Sequence, residues 1–157
     1  MYEVKKKMIK EQPLNFKGKI KFRNYVTLPG GRTITLHEWT KHNLITNAGK
    51  TLFARRIGGN SHAAITHMAI GTGSTAPAAG NTILQRETTR LTCTNVVNGY
   101  STVFSAIFSS AQINTTTEVG LFNAASGGTL ACRAVYSAIS VPGGTNMAID
   151  YTVTVGA

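Results

Sequence analysis

The residues with familiar chemistry are few and poorly spaced for it. Gly49-Lys50-Thr51 has the ending of a phosphate-binding P-loop, but Leu44 stands five residues upstream where a glycine is required, and without that glycine the backbone cannot wrap a phosphate. Gly71-Thr72-Gly73 could open a dinucleotide fingerprint, yet Ala76 occupies the third glycine position and Pro77 follows. A connecting loop is the better reading. His37 and His42 are five apart, as are His62 and His67, whereas two imidazoles share a helix face at a spacing of four. With Glu38 or Glu87 they could still assemble a metal site in three dimensions, but surface or hydrogen-bonded histidines are expected. Cys93 and Cys132 fall in apolar, strand-like stretches and read as small buried hydrophobes, with a disulfide open only if the fold joins their strands. Asp150 is the only aspartate, and Glu38, Glu87 and Glu118 lie in no motif, leaving little material for paired-carboxylate hydrolysis. The expectation is a protein without enzymatic activity, metal or cofactor.

Cationic chemistry is more prominent. The 157 residues carry 16 Lys and Arg, 6 Asp and Glu and a net charge of +10. Thirteen of the cations lie in residues 1–56 against Glu3, Glu11 and Glu38, so the first third holds the whole excess. Lys5, Lys6, Lys7 and Lys10 precede Pro13 with no apolar period, and residues 1–15 read as an extended basic arm that orders on assembly. From Phe16 the pattern alternates: Phe16, Gly18, Ile20 and Phe22 take one face of a strand, and Lys17, Lys19, Lys21 and Arg23 the other. Pro29-Gly30-Gly31 signals a turn, after which Ile34 and Leu36 alternate with polar residues. Residues 16–42 thus form a basic hairpin, seated by Phe16, Ile20, Phe22, Ile34 and Leu36, whose four cations face an acidic partner: nucleic acid, an acidic protein or lipid headgroups. Lysines also discourage strand pairing at a sheet edge, and a charge run can be no more than a solvated face. Phe16, Phe22, Tyr25 and Trp39 among the cations would suit base stacking. Against nucleic acid, Phe16 and Phe22 share the face opposite the cations, and the motifs of helix-turn-helix, zinc-finger and RNA-binding sheet domains are missing.

The elements that must position these residues are mostly strands. Hydrophobic residues make up 42% and charged residues 14% of the chain, with 16 glycines, against about 25% charged in an average domain. The length suits one core. One helix is predicted over residues 47–57, capped by Thr46 or Asn47, stopped by Gly58-Gly59 and facing the core through Leu52, Phe53 and Ile57. Strands are predicted at Ile65–Ile70, Tyr100–Phe108, Ala111–Ile113, Glu118–Phe122, Thr129–Val141 and Met147–Val155, with turns at Asn98-Gly99, Ser126-Gly127-Gly128 and Pro142-Gly143-Gly144. The fold class is mainly β: an antiparallel β-sandwich or jelly-roll-like domain with one short helix and the basic arm. Within it, residues 43–157 form a body, neutral from residue 57 onward, that follows the hairpin in a single domain, 16–157. No stretch approaches the roughly 18 apolar residues of a membrane helix. Met1–Lys7 leads into Gln12-Pro13 rather than an apolar core and does not read as a secretory signal.

Between residues 43 and 155, an ordered series of blocks carries a resemblance. Asn43-Leu44-Ile45-Thr46-Asn47-Ala48-Gly49-Lys50 is followed by Ile65-Thr66-His67-Met68-Ala69-Ile70-Gly71-Thr72-Gly73. Then come Ala76-Pro77 with Leu84, Glu87 and Arg90, Glu118-Val119-Gly120-Leu121-Phe122, and Gly128-Thr129-Leu130. In this order they resemble tailed-bacteriophage virion proteins: the particle-attaching N-terminal domain of contractile-phage tail fibres and small stand-alone virion proteins. The resemblance implies a structural β-domain that docks on a viral particle, assembled in the host cytoplasm and located in the virion. Read as a chain that ends at Ala157, the sequence leaves no room for a fibre shaft or tip. The expected role is therefore a capsid cement or decoration protein on the major capsid protein, with a tail role as fibre adaptor, collar or baseplate subunit as the alternative. A homo-oligomer is expected, a trimer first. Read physically, Glu118 is expected to pair with Arg90 or Arg86 and to fix the glycine-rich loop against the sandwich, and Gly120 to mark a bulge or a close backbone approach.

Overall fold

The computed structural model describes residues 15–156; the expectations for Lys5, Lys6, Lys7 and Lys10 lie outside the described residues. Ten strands and one helix follow in the order β1 (Phe16–Thr27), β2 (Thr33–His42), β3 (Leu44–Ile45), α1 (Asn47–Ile57), β4 (His67–Gly71), β5 (Glu87–Thr92), β6 (Thr94–Asn98), β7 (Ser101–Ser109), β8 (Thr115–Phe122), β9 (Leu130–Ser140) and β10 (Asn146–Val155). They form two five-stranded sheets. One, called here the A sheet, runs β2-β1-β10-β7-β6, and the other, the B sheet, runs β3-β9-β8-β4-β5. All pairings are antiparallel, and the sandwich expectation holds.

The core lies between the sheets. Alternation on β1 and β10 sends Ile20, Phe22, Met147, Ile149 and Tyr151 inward, where they meet Met68, Ile70, Val119, Leu121 and Cys132. Gly30 (φ 88°) and Gly31 (φ 82°) form the first hairpin turn in the left-handed region that glycine enters without strain. The helix falls on its predicted residues because the Thr46 hydroxyl accepts from the Gly49 amide at 2.9 Å and donates to the Leu130 carbonyl at 2.6 Å. One residue thereby caps α1 and fastens it to β9. Gly49 lies against the Ala131 carbonyl, where a Cβ would not fit.

Several expectations need correction. Ile34 and Leu36 do not seat the hairpin. They are 37% and 45% exposed, because β2 is the edge strand of its sheet and no residue of it is buried against the opposite sheet. Ile57 points to solvent at 76% exposure, since α1 packs through Leu52 and through Phe53, which stacks on Phe16 at 5.0 Å. Residues 111–113 are a turn, tied by the Gln112 and Ile113 amides to the Ser109 carbonyl. The strands β5 and β6 emerge from a segment whose Thr and Asn content masks alternation; buried Cys93 sits where the chain passes from one sheet to the other.

Candidate partner-binding surface

Among the described residues, no segment crosses the outer face of the A sheet. Along β1, Lys17, Lys19, Lys21 and Arg23 are all exposed, while the intervening Gly18, Ile20 and Phe22 are buried. Alternate residues on a strand are about 6.7 Å apart, so the four cations form a row about 20 Å long. The register carries the face sideways: Lys17, Lys19, Lys21 and Arg23 lie opposite Thr154, Thr152, Asp150 and Ala148 of β10, and these opposite Ser101, Val103, Ser105 and Ile107 of β7.

The row is not uniform. Lys21 is 3.0 Å from Glu38 on β2, a pair half exposed to water and therefore worth about 0–1 kcal/mol. Glu38 is also the cross-strand neighbour of Arg23, and Asp150, opposite Lys21, accepts from the Ser105 hydroxyl at 2.7 Å. Lys17 and Lys19 have no carboxylate partner among the described residues. Lys19 instead faces His42 across the strand pair, and Lys17, Lys19 and His42 line one cavity of about 310 Å³. Unbalanced positive charge is thus concentrated at the start of β1, where the N-terminal segment joins. Of the aromatics, Phe22 is buried, as its place on the face opposite the cations implies, whereas Trp39 is exposed with the His37 ring 5.6 Å away.

The outer face of the B sheet is covered. Residues 72–86 cross it, held by Glu118, whose side chain is fully buried. Its carboxylate accepts from the amides of Gly73 (3.0 Å), Gln85 (3.0 Å) and Arg86 (2.7 Å), and from the Arg133 guanidinium at 2.8 and 3.1 Å. Burial alone would raise the Glu118 carboxyl, but the Arg86 amide, Arg133 and the other two amides outweigh it and hold the group below its ordinary range. Arg133 spends a further donor on Asn81 at 2.9 Å.

Glu118 therefore does fix the loop, but its arginine is neither Arg90 nor Arg86. Arg133 lies opposite Gly120 on β9, two residues along and on the same face as Glu118, and reaches it diagonally. Arg86 contributes only its backbone amide. Arg90 pairs with Glu87 at 2.7 Å, donates to the carbonyls of Ala124 and Gly127 and lies 3.6 Å over the Phe122 ring. Gly120 is a close-approach glycine: a Cβ there would meet Leu130 at 2.7 Å and Leu84 at 2.9 Å. Leu84 plugs the same face, packed with Ala69, Phe122 and Leu130. Gly71 and Gly73 carry no side chain where the Glu118 carboxylate lies.

The sequence alone does not single out Arg133, although it holds a signal: Arg133 interrupts an apolar strand and Glu118 heads another, and two opposite charges in buried strand positions belong together. Cys93 and Cys132 are buried, unbridged thiols whose acidity burial suppresses. His67 is hydrogen-bonded to Thr66 at 2.8 Å and His62 lies 3.4 Å from Arg55; no group of three metal-ligating side chains occurs among the described residues. No family description, curated protein or solved structure matches the chain.

Proposed function

We propose that this chain is a non-enzymatic structural protein of a tailed-bacteriophage virion, a capsid cement or decoration protein that binds the major capsid protein and stabilises the head. The observation that carries the reading is the outer face of the A sheet, uncrossed and with Lys17 and Lys19 unpaired among the described residues, beside an edge strand exposed along its whole length. Such a face fits an acidic protein surface, to which long-range attraction steers it and on which edge pairing adds backbone hydrogen bonds. Lys21 and Arg23 extend the row, and Lys5, Lys6, Lys7 and Lys10 extend the charge along the sequence.

The virion assignment rests on the ordered blocks from Asn43 to Leu130. Many of their residues, including Gly71, Gly73, Leu84, Glu118 and Gly120, meet in the covered face of the B sheet. Those blocks therefore account for a stable body, and the cationic face for its attachment. The likeness to particle-attaching fibre domains also favours a second reading, a tail component such as a fibre adaptor, collar or baseplate subunit. Assembly as a homo-oligomer, a trimer first, would multiply a modest contact into firm attachment.

Copy number per purified particle, counted by quantitative mass spectrometry, tests the assignment. Hundreds of copies are expected for the shell role; a small multiple of three or six would move the protein to the tail, and absence from particles would overturn both. A nucleic-acid role would instead appear as tight DNA binding at physiological salt with a steep salt dependence.

A further inference from the structure

At the end of the sandwich, on the side of β1 opposite the cationic row, lies an apolar cleft of about 210 Å³ between the last turn of α1 and the A sheet. Phe16, Phe53, Ile57, Tyr100, Val153 and Val155 line it. Two of them are far more exposed than their chemistry favours, Ile57 at 76% and Tyr100 at 84%. Their neighbours can be traced through Phe16, which walls three adjoining cavities: this cleft with Arg56 at its rim, a second with Lys50, and the third with Lys17, Lys19 and His42. Among the described residues, no Asp or Glu lines any of the three.

We propose that this cleft receives an aliphatic or aromatic anchor side chain from an acidic segment of a partner protein, whose carboxylates lie on the surrounding Lys and Arg residues. Charge selects this occupant over two others. The chain's own residues 1–14 carry four lysines against two glutamates, and a second copy carries a net charge of +10; neither brings the excess of carboxylates that complements the cationic rim. An acidic segment is drawn in by it, and an apolar side chain seated in a desolvated pocket supplies the short-range specificity that exposed charges lack. The inference rests on the proposed function for the acidic character of the partner and adds to it a defined anchor site.

The test uses full-length protein and two probes: a short synthetic peptide of Asp, Glu and Gly with one central Leu, and the same peptide with Ser at the centre. Affinity is read by fluorescence anisotropy at low salt and location by amide chemical shifts. The Leu peptide is expected to bind about tenfold more tightly, the worth of one buried aliphatic side chain, and to move the amides of Ile57, Tyr100 and Val155. An Ile57→Ser, Tyr100→Ser double variant, altered only at exposed positions, should lose that tenfold difference while binding the Ser peptide as before. Equal affinities for both peptides, or shifts confined to Lys17–Arg23, would overturn the cleft and leave the cationic face standing; failure of both peptides to bind would overturn the two together. Movement of the Ile57 and Tyr100 amides on deletion of residues 1–14 would name the chain's own arm as occupant. Self-association abolished by the double variant would name a second copy. Either result contradicts the proposal.

Discussion

The two sheets have similar inner faces and opposite outer ones. The B sheet's outer face is closed by a strap of some fifteen residues, 72–86, gathered onto Glu118 and Arg133. The A sheet's outer face is open among the described residues, and its charges are exposed side chains on a regular strand. Charge in the first case is buried and fully partnered, and it shapes the body; in the second it is exposed, with Lys17 and Lys19 unpaired among the described residues, and it is free for another molecule. Substitutions should therefore cost stability on one face and binding on the other.

The largest stability effect is expected at the buried pair. Arg133→Met leaves Glu118 charged, buried and without its guanidinium, and unfolding by denaturant should report a loss of about 3–5 kcal/mol. Gly120→Val comes next: its side chain would press on Leu130 and Leu84, and overpacking of this kind costs about 1–3 kcal/mol. Loss of the helix cap in Thr46→Ala should cost about 1 kcal/mol, with an added penalty for the Leu130 contact, in the same measurement.

Acid offers a further way to separate the faces. Because the folded Glu118 carboxyl titrates below its ordinary value near 4.3, the unfolded chain binds the extra proton first as pH falls. The contribution of Glu118 is then complete above about pH 5 and is lost as pH drops through the folded value. Denaturant midpoints measured from pH 6 to pH 2 should show that loss, and Glu118→Gln should flatten it. The smallest stability effect belongs to the open face: Lys17→Glu and Lys19→Glu together should shift unfolding by no more than about 0.5 kcal/mol. A loss there as large as that of Arg133→Met would dissolve the distinction between the faces.

How far the sequence reveals this depends on whether a pattern is local. The β1 alternation, the α1 cap and the glycine turns are each written within a dozen residues, and each lies where the sequence reading puts it. The position of β2 at an edge is not local: Ile34 and Leu36 alternate like core residues, but the edge strand that carries them is exposed along its whole length. The strap was legible only in part. Glu118 beside a glycine-rich loop pointed to a fastening, whereas its partner depends on the β8–β9 register, which sets Arg133 against Gly120. The apolar cleft joins residues from Phe16 to Val155 and has no signature in any one segment.

The central claim is that the open face attaches the protein to an acidic partner while the closed face holds the body together. Its most direct test is the occupancy of purified particles lacking the protein, measured after adding either the wild-type chain or the Lys17→Glu, Lys19→Glu variant, with matched stability of the two confirmed beforehand. The account predicts that the wild type saturates the particles and that the variant falls at least tenfold in apparent affinity, with binding of the wild type weakening as salt is raised. Equal occupancy by the variant, at every salt concentration, would contradict it.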